Sequence, residues 1–94
     1  MEDIITKLYN LIGLIANWDG ECERVHQYYR QFALIWDAVK DVVPDESVEY
    51  FQSTGELLQA MTHISDPENE MRVMVLENLD KIDEYLQELS DNSL

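Results

Sequence analysis

The stretch from Val25 to Val43, VHQYYRQFALIWDAVKDVV, decides the fold. Its apolar residues fall at Val25, Tyr28/Tyr29, Phe32, Ile35/Trp36, Val39 and Val42/Val43, in alternating steps of three and four. At about 100° per residue these positions close into one stripe, the pattern of an amphipathic helix. Two tyrosines, Phe32 and Trp36 make it the heaviest apolar face in the chain, and side chains of that size dominate core energetics. The remaining segments are expected to cover it.

Upstream, residues 3–17 read as a first helix, with Ile4, Leu8, Leu11 and Ile15 in one row. Ile5 and Ile12 flank that row on one side and Leu14 on the other, more apolar surface than one bundle seam requires. Ile5 and Ile12 are therefore expected at a homodimer interface. Gly13, on the polar face, points to a close helix neighbour. Asn17-Trp18-Asp19-Gly20 breaks the periodicity, with Asn17 or Asp19 as the N-cap of a second helix over 20–43. Pro44 stops that helix. A third follows over 45–63 with Val48, Phe51, Leu58 and Met61 inward. Gly55 on the same face suggests a tight crossing, and Ser53-Thr54-Gly55 offers a point at which this helix divides into two short pieces. Ser65-Asp66-Pro67-Glu68 supplies a capping side chain, a first-turn proline and an early acid for a last helix over 66–89. Met71, Val75, Leu79, Ile82, Leu86 and Leu89 form its apolar row. Four helices with short connections and no strand-like alternation predict an all-α fold, a small antiparallel four-helix bundle in a single domain over 1–94.

Length and composition agree with that reading. A chain of 94 residues buries roughly 65% of its unfolded surface, enough for a core without disulfides or a structural metal. The one cysteine, Cys22, fits a reducing compartment. No run of about 18 apolar residues and no signal-peptide pattern is present, so the expected location is cytoplasmic.

Charge is the outlier. Twenty acids against six Lys and Arg give a net −14, against about 8 in magnitude at the upper end for a small domain. Direct contact with nucleic acid or an anionic membrane is the function class this balance most disfavours. Two groups of acids stand out. Glu77, Asp80, Glu84, Glu88 and Asp91 lie within roughly 80° of one another on the outer side of the last helix. Their successive rises of about 4.5–6 Å are on the scale of phosphate spacing along a nucleic-acid strand. A second group, Asp37, Asp41, Asp45, Glu46 and Glu49, gathers around Pro44. A helix face that is merely solvated usually interleaves lysines at i+4. Residues 66–94 hold nine acids and, as bases, only Arg72 and Lys81. Leu34 and Val73 are isolated apolar residues on outward faces, of interest as anchors only if they adjoin these acids.

Catalytic and metal-binding patterns are sparse. Cys22 and His26 share a helix face, with His63 as a distant third, short of the three or four spaced ligands of a zinc site. The Asp19, Glu21, Glu23 alternation lacks the spacing and closing glutamate of a calcium loop. No Gly-x-Ser-x-Gly turn or Gly-rich phosphate loop occurs. Glu46-Ser-Val-Glu49 with Glu77-Asn-Leu-Asp80 resembles the paired ExxE…ExxD carboxylates of the all-α nucleotide pyrophosphohydrolases of the MazG type. That resemblance implies a helical bundle holding magnesium between facing helices. The periodicity sets against it that Glu77 and Asp80 lie roughly 130–170° from the Leu79, Ile82, Leu86 row.

The expected function is therefore binding and not catalysis, with no cofactor or metal. The two acidic groups are the expected contacts to a basic protein, such as a nuclease or another nucleic-acid-binding protein, whose surface the chain neutralises by charge mimicry. Small acidic antagonists of phages and mobile elements, and nuclease immunity proteins, resemble the chain in composition and size. The alternative is an oligomeric helical scaffold or adaptor built on the first helix.

Overall fold

The computed structural model describes residues 2–63 and 70–92. The chain folds as a four-helix bundle: α1 Glu2–Ala16, α2 Cys22–Val39, α3 Asp45–Met61 and α4 Glu70–Asn92. Each helix packs on its sequence neighbours and α4 closes back on α1, while among the described residues the backbones of the diagonal pairs α1/α3 and α2/α4 do not approach closely. Side-chain pairs give the directions. Gln87 reaches Tyr9 and Arg72 reaches the Ala16 carbonyl, so α1 and α4 are antiparallel. Trp36 stacks on Phe51 while Gln59 reaches Tyr29, which sets α2 against α3. Tyr50 against Tyr85 and Ser53 against Asn78 do the same for α3 and α4. The result is an up-down-up-down bundle of 42 × 22 × 19 Å.

The core takes one row from each helix. Leu8, Leu11 and Ile15 meet Val25, Phe32, Ile35 and Val39, then Phe51, Leu58 and Met61, then Val75, Leu79, Ile82 and Leu86. Phe51 is the hinge of the aromatic packing, with ring centroids 5.9 Å from Phe32 and 4.7 Å from Trp36. Trp36 itself is only half-buried. On α3 the buried face runs Ser47, Phe51, Thr54, Leu58, Met61, and Val48 is half-buried beside it. Two polar residues are tolerated there because each hydroxyl donates to its own helix. Ser47 Oγ bonds the Pro44 carbonyl at 2.7 Å and Thr54 Oγ1 the Tyr50 carbonyl at 2.7 Å, so no donor is buried without an acceptor. α3 is one continuous helix across Ser53-Thr54-Gly55.

The turns depart most from the periodicity. The α1–α2 loop is built around Trp18, which is 4% exposed and donates its indole N–H to the Glu21 carbonyl at 2.9 Å. Asn17 folds back instead, its side chain donating to the Gly13 carbonyl at 2.9 Å. The N-cap of α2 is Glu21, without a side-chain cap. Asp19 accepts the Glu21 N–H at 3.1 Å and pairs with Arg24 at 3.1 Å, bracing the turn from one residue further out. Gly20 takes a φ of 91° there, a conformation that costs any L side chain. α2 stops at Val39, four residues short of the expected Val43. Lys40, Val42 and Val43 turn back with N–H groups bonded to Trp36 and Val39 carbonyls, and Pro44 excludes helical backbone at the residue before it. Val42 is consequently 54% exposed and leaves the stripe. The expected Ser65-Asp66-Pro67-Glu68 cap lies outside the described residues. No helix among the described residues is long and apolar enough to cross a membrane.

Neither helical glycine marks a close approach. A Cβ on Gly13 would meet nothing within 4 Å, and one on Gly55 only Phe32 Cε2 at 3.9 Å. Alanine at either position should therefore stabilise the chain by roughly 0.5–1 kcal/mol through helix propensity. Gly20→Ala should do the opposite, costing about 1–2 kcal/mol. Denaturant midpoints at unchanged slope test all three, and a destabilised Gly55→Ala would mean that α2 and α3 cross more closely than described.

Candidate functional site

All ten carboxylates singled out by charge are exposed: Glu77, Asp80, Glu84, Glu88 and Asp91 on α4, and Asp37, Asp41, Asp45, Glu46 and Glu49 around Pro44. Among the described residues only two of them form ion pairs. Lys81 lies 3.6 Å from Glu84 and Lys40 lies 3.6 Å from Asp37, both with well-exposed side chains. Such pairs contribute about 0–1 kcal/mol and leave the local charge largely intact.

Helix dipoles sort the ten. Each helix carries an acid in its first turn, and none carries a base in its last. Asp45 and Glu46 begin α3, where the positive end of the dipole favours a carboxylate by about 0.3–1 kcal/mol. They therefore have a structural use. Asp91 sits in the last turn of α4 with Glu88 just before it, where the same dipole is unfavourable to negative charge. Nothing in the fold rewards those two.

The structure also joins what the sequence separates. Tyr85 projects from α4 towards α3, where its ring centroid lies 6.1 Å from that of Tyr50 at an interplanar angle of 42°. Partial loss of hydration holds the Tyr85 phenol above the usual tyrosine range, and the Glu46 carboxylate, Tyr50, Glu88 and Glu49 push it further the same way. Glu46 and Glu49 of α3 and Glu88 of α4 are thus the carboxylates that act on this aromatic pair. Neither tyrosine is conspicuous in the sequence. Each lies one helical position off a core row, a signal that becomes legible only once α3 and α4 are known to be neighbours.

Ile5 is 8% exposed and belongs to the core, and Ile12 is half-buried against it. Ile5 is thus covered within the bundle, whereas Tyr9 and Leu14 of the same helix are 49% and 42% exposed. Glu46, Glu49, Glu77 and Asp80 do not converge between facing helices. The α3–α4 contact is filled by Tyr50 against Tyr85 and by Asn78, whose Nδ2 donates to Ser53 Oγ at 3.2 Å. Among the described residues no three His, Cys, Asp or Glu side chains gather within reach of a metal. That holds for Cys22, half-buried, with the exposed His26 and His63. Leu34 borders a small hollow with Lys7, Asn10 and Gln31 between α1 and α2, one helical turn before Asp37.

The convergence on Tyr85 has a pH signature. The neutral phenol is favoured in the folded chain, so its stabilising effect is complete below the ordinary value of 10.0 and is lost as pH rises through the raised folded value. Titration of carbon-13-labelled tyrosine should place Tyr85 above that value, and Glu46→Gln with Glu88→Gln should bring it part of the way back, since lost hydration persists. A midpoint that ignores the double substitution would show that these carboxylates do not face the phenol. No family model, curated protein or solved structure matches this chain, so its surface is read from its own geometry and charge.

Proposed function

We propose that the chain is an acidic helical binding protein that occupies and neutralises the nucleic-acid-binding surface of a basic partner protein, without catalysis of its own. The observation that carries this reading is the outer strip of α4. Glu77, Asp80, Glu88 and Asp91 are exposed, have no ion pair among the described residues, and run to the helix end where the dipole opposes them. A face that served only solvation would gain from lysines at i+4 and from a base in the last turn. Carboxylates at helical spacing present fixed negative charges to the Lys and Arg groups that otherwise hold phosphates. They steer association over the Debye length and compete for those groups at contact. Glu46 and Glu49 extend the surface across the Tyr50–Tyr85 seam. The single cysteine is consistent with work in a reducing compartment such as the cytoplasm.

Capture of the partner from a matched lysate with graded salt washes tests the proposal. A basic nucleic-acid-binding protein should be recovered at low salt and released by moderate salt, because exposed charges are screened within about 8 Å at physiological ionic strength. Lysines at Glu77, Glu84 and Glu88 should leave helicity intact and weaken capture by more than roughly tenfold, since lost pairs are compounded by like-charge contacts. Reversal of Asp37, Asp41 and Glu49 is the matched control for the other face. If neither triple reversal alters capture, the acids serve solvation and the proposal is wrong.

A further inference from the structure

Between α2 and α3 lies a groove of about 510 Å³ that the acidic strip does not account for. Phe32 and Phe51, 5% and 3% exposed, form its floor, and the half-buried Tyr29 and Trp36 form its aromatic wall. The groove exists because two small residues face it. Ala33 is short, and a Cβ on Gly55 would meet nothing nearer than Phe32 Cε2 at 3.9 Å. Glu56 is the one charged group among its lining residues, exposed at the rim, and the Gln59 amide donates to Tyr29 Oη at 3.2 Å, holding that ring in place. This volume lies in the range of small-ligand sites. The combination of an aromatic wall, an apolar floor and one carboxylate suits a particular occupant.

We infer that this groove takes an arginine side chain from a basic segment of the partner, its aliphatic stem on Phe32 and Phe51, its guanidinium against Trp36 and Glu56. The inference rests on the reading above that the partner is basic. Charge complementarity selects this occupant, because no base lines the groove among the described residues and the whole chain carries −14. A cation over a tryptophan face is attracted by the ring quadrupole, and desolvation strengthens that attraction. Arginine fits better than lysine, since its planar group stacks on the ring while forking towards a carboxylate. The strip on α4 supplies steering, and the groove supplies a shaped contact that salt screens less.

Proton–nitrogen NMR on the full chain tests this, because its two tryptophans report separately. The Trp18 indole is buried and bonded to the Glu21 carbonyl, which makes it an internal control. Nona-arginine should shift the Trp36 indole signal to saturation and leave Trp18 still. Nona-lysine should bind there several-fold more weakly, and the isosteric neutral nona-citrulline should not bind. Gly55→Leu fills the groove and should abolish the Trp36 shift. Glu56→Gln alters only an exposed group and should weaken nona-arginine by several-fold to roughly tenfold, which keeps the test decisive if leucine at 55 lowers the melting temperature. If nona-arginine binds through the α4 acids while Trp36 stays silent, the groove inference fails and the charge reading stands. If no basic peptide binds at all, both fail. Equal shifts with nona-citrulline, or a Trp36 signal that moves with protein concentration alone, would assign the groove to an uncharged ligand or to a second copy and overturn the inference.

Discussion

Everything in this structure depends on an apolar core that holds together against its own surface charge. A net −14 is packed into a bundle only 22 × 19 Å across, so each carboxylate repels many others within or near a Debye length. Of the three ion pairs among the described residues, two bridge residues of a single helix or its cap, and the third braces one loop. None of them ties two helices together. Cohesion comes instead from the fully buried rows of Leu, Ile and Val on α1, α2 and α4, from Leu58 and Met61 of α3, and from the Phe32–Phe51–Trp36 cluster between α2 and α3. Acids at helix starts work with the dipoles, and those near the end of α4 work against them.

That division separates structure from function in a chain where almost any face is acidic. Asp45 and Glu46 help to start α3, and Asp37 and Glu84 have a lysine close by. Glu77, Asp80, Glu88 and Asp91 start no helix and form no ion pair among the described residues. Proteins commonly keep locally unfavourable groups where they bind something, accepting lower stability for function. Tyr50 and Tyr85 add an aromatic seam between these acids and the first turn of α3, and the α2–α3 groove adds a second aromatic surface with its own carboxylate. Basic proteins are recognised through such mixtures of carboxylate and aromatic ring.

The helices and most of the core were legible in the sequence because the 3.6-residue period states which face is apolar whatever the partner. Turns were not, since their geometry follows from tertiary contacts. Trp18, read as a break in the pattern, is buried and organises the α1–α2 loop. Val42 and Val43 continue the stripe on paper, yet the turn before Pro44 carries Val42 into solvent. Ser47 and Thr54 lie on the buried face because their hydroxyls bond carbonyls of the preceding turn, which composition does not reveal. The outward course of the α4 acids was legible for the same reason as the core row opposite them. The joint action of Glu88 with Glu46 and Glu49 on Tyr85 was not, because it requires knowing that α3 lies beside α4. Spacing alone also drew Glu46, Glu49, Glu77 and Asp80 into an enzyme-like pattern that the packing of Asn78 and Tyr85 between the helices does not support.

The central claim is that the α4 strip is maintained at a cost to the fold. Thermal melting of the chain carrying Glu77→Gln, Asp80→Asn, Glu88→Gln and Asp91→Asn tests it most directly, because these changes scarcely alter helix propensity or volume. At low salt the neutralised chain should melt higher than the native one, by roughly 4–8 °C for each kcal/mol of repulsion relieved. The gap should close as added salt screens the native chain. A neutralised chain that melts at the same temperature or lower at every ionic strength would contradict the account, since carboxylates that cost the fold nothing need no functional explanation.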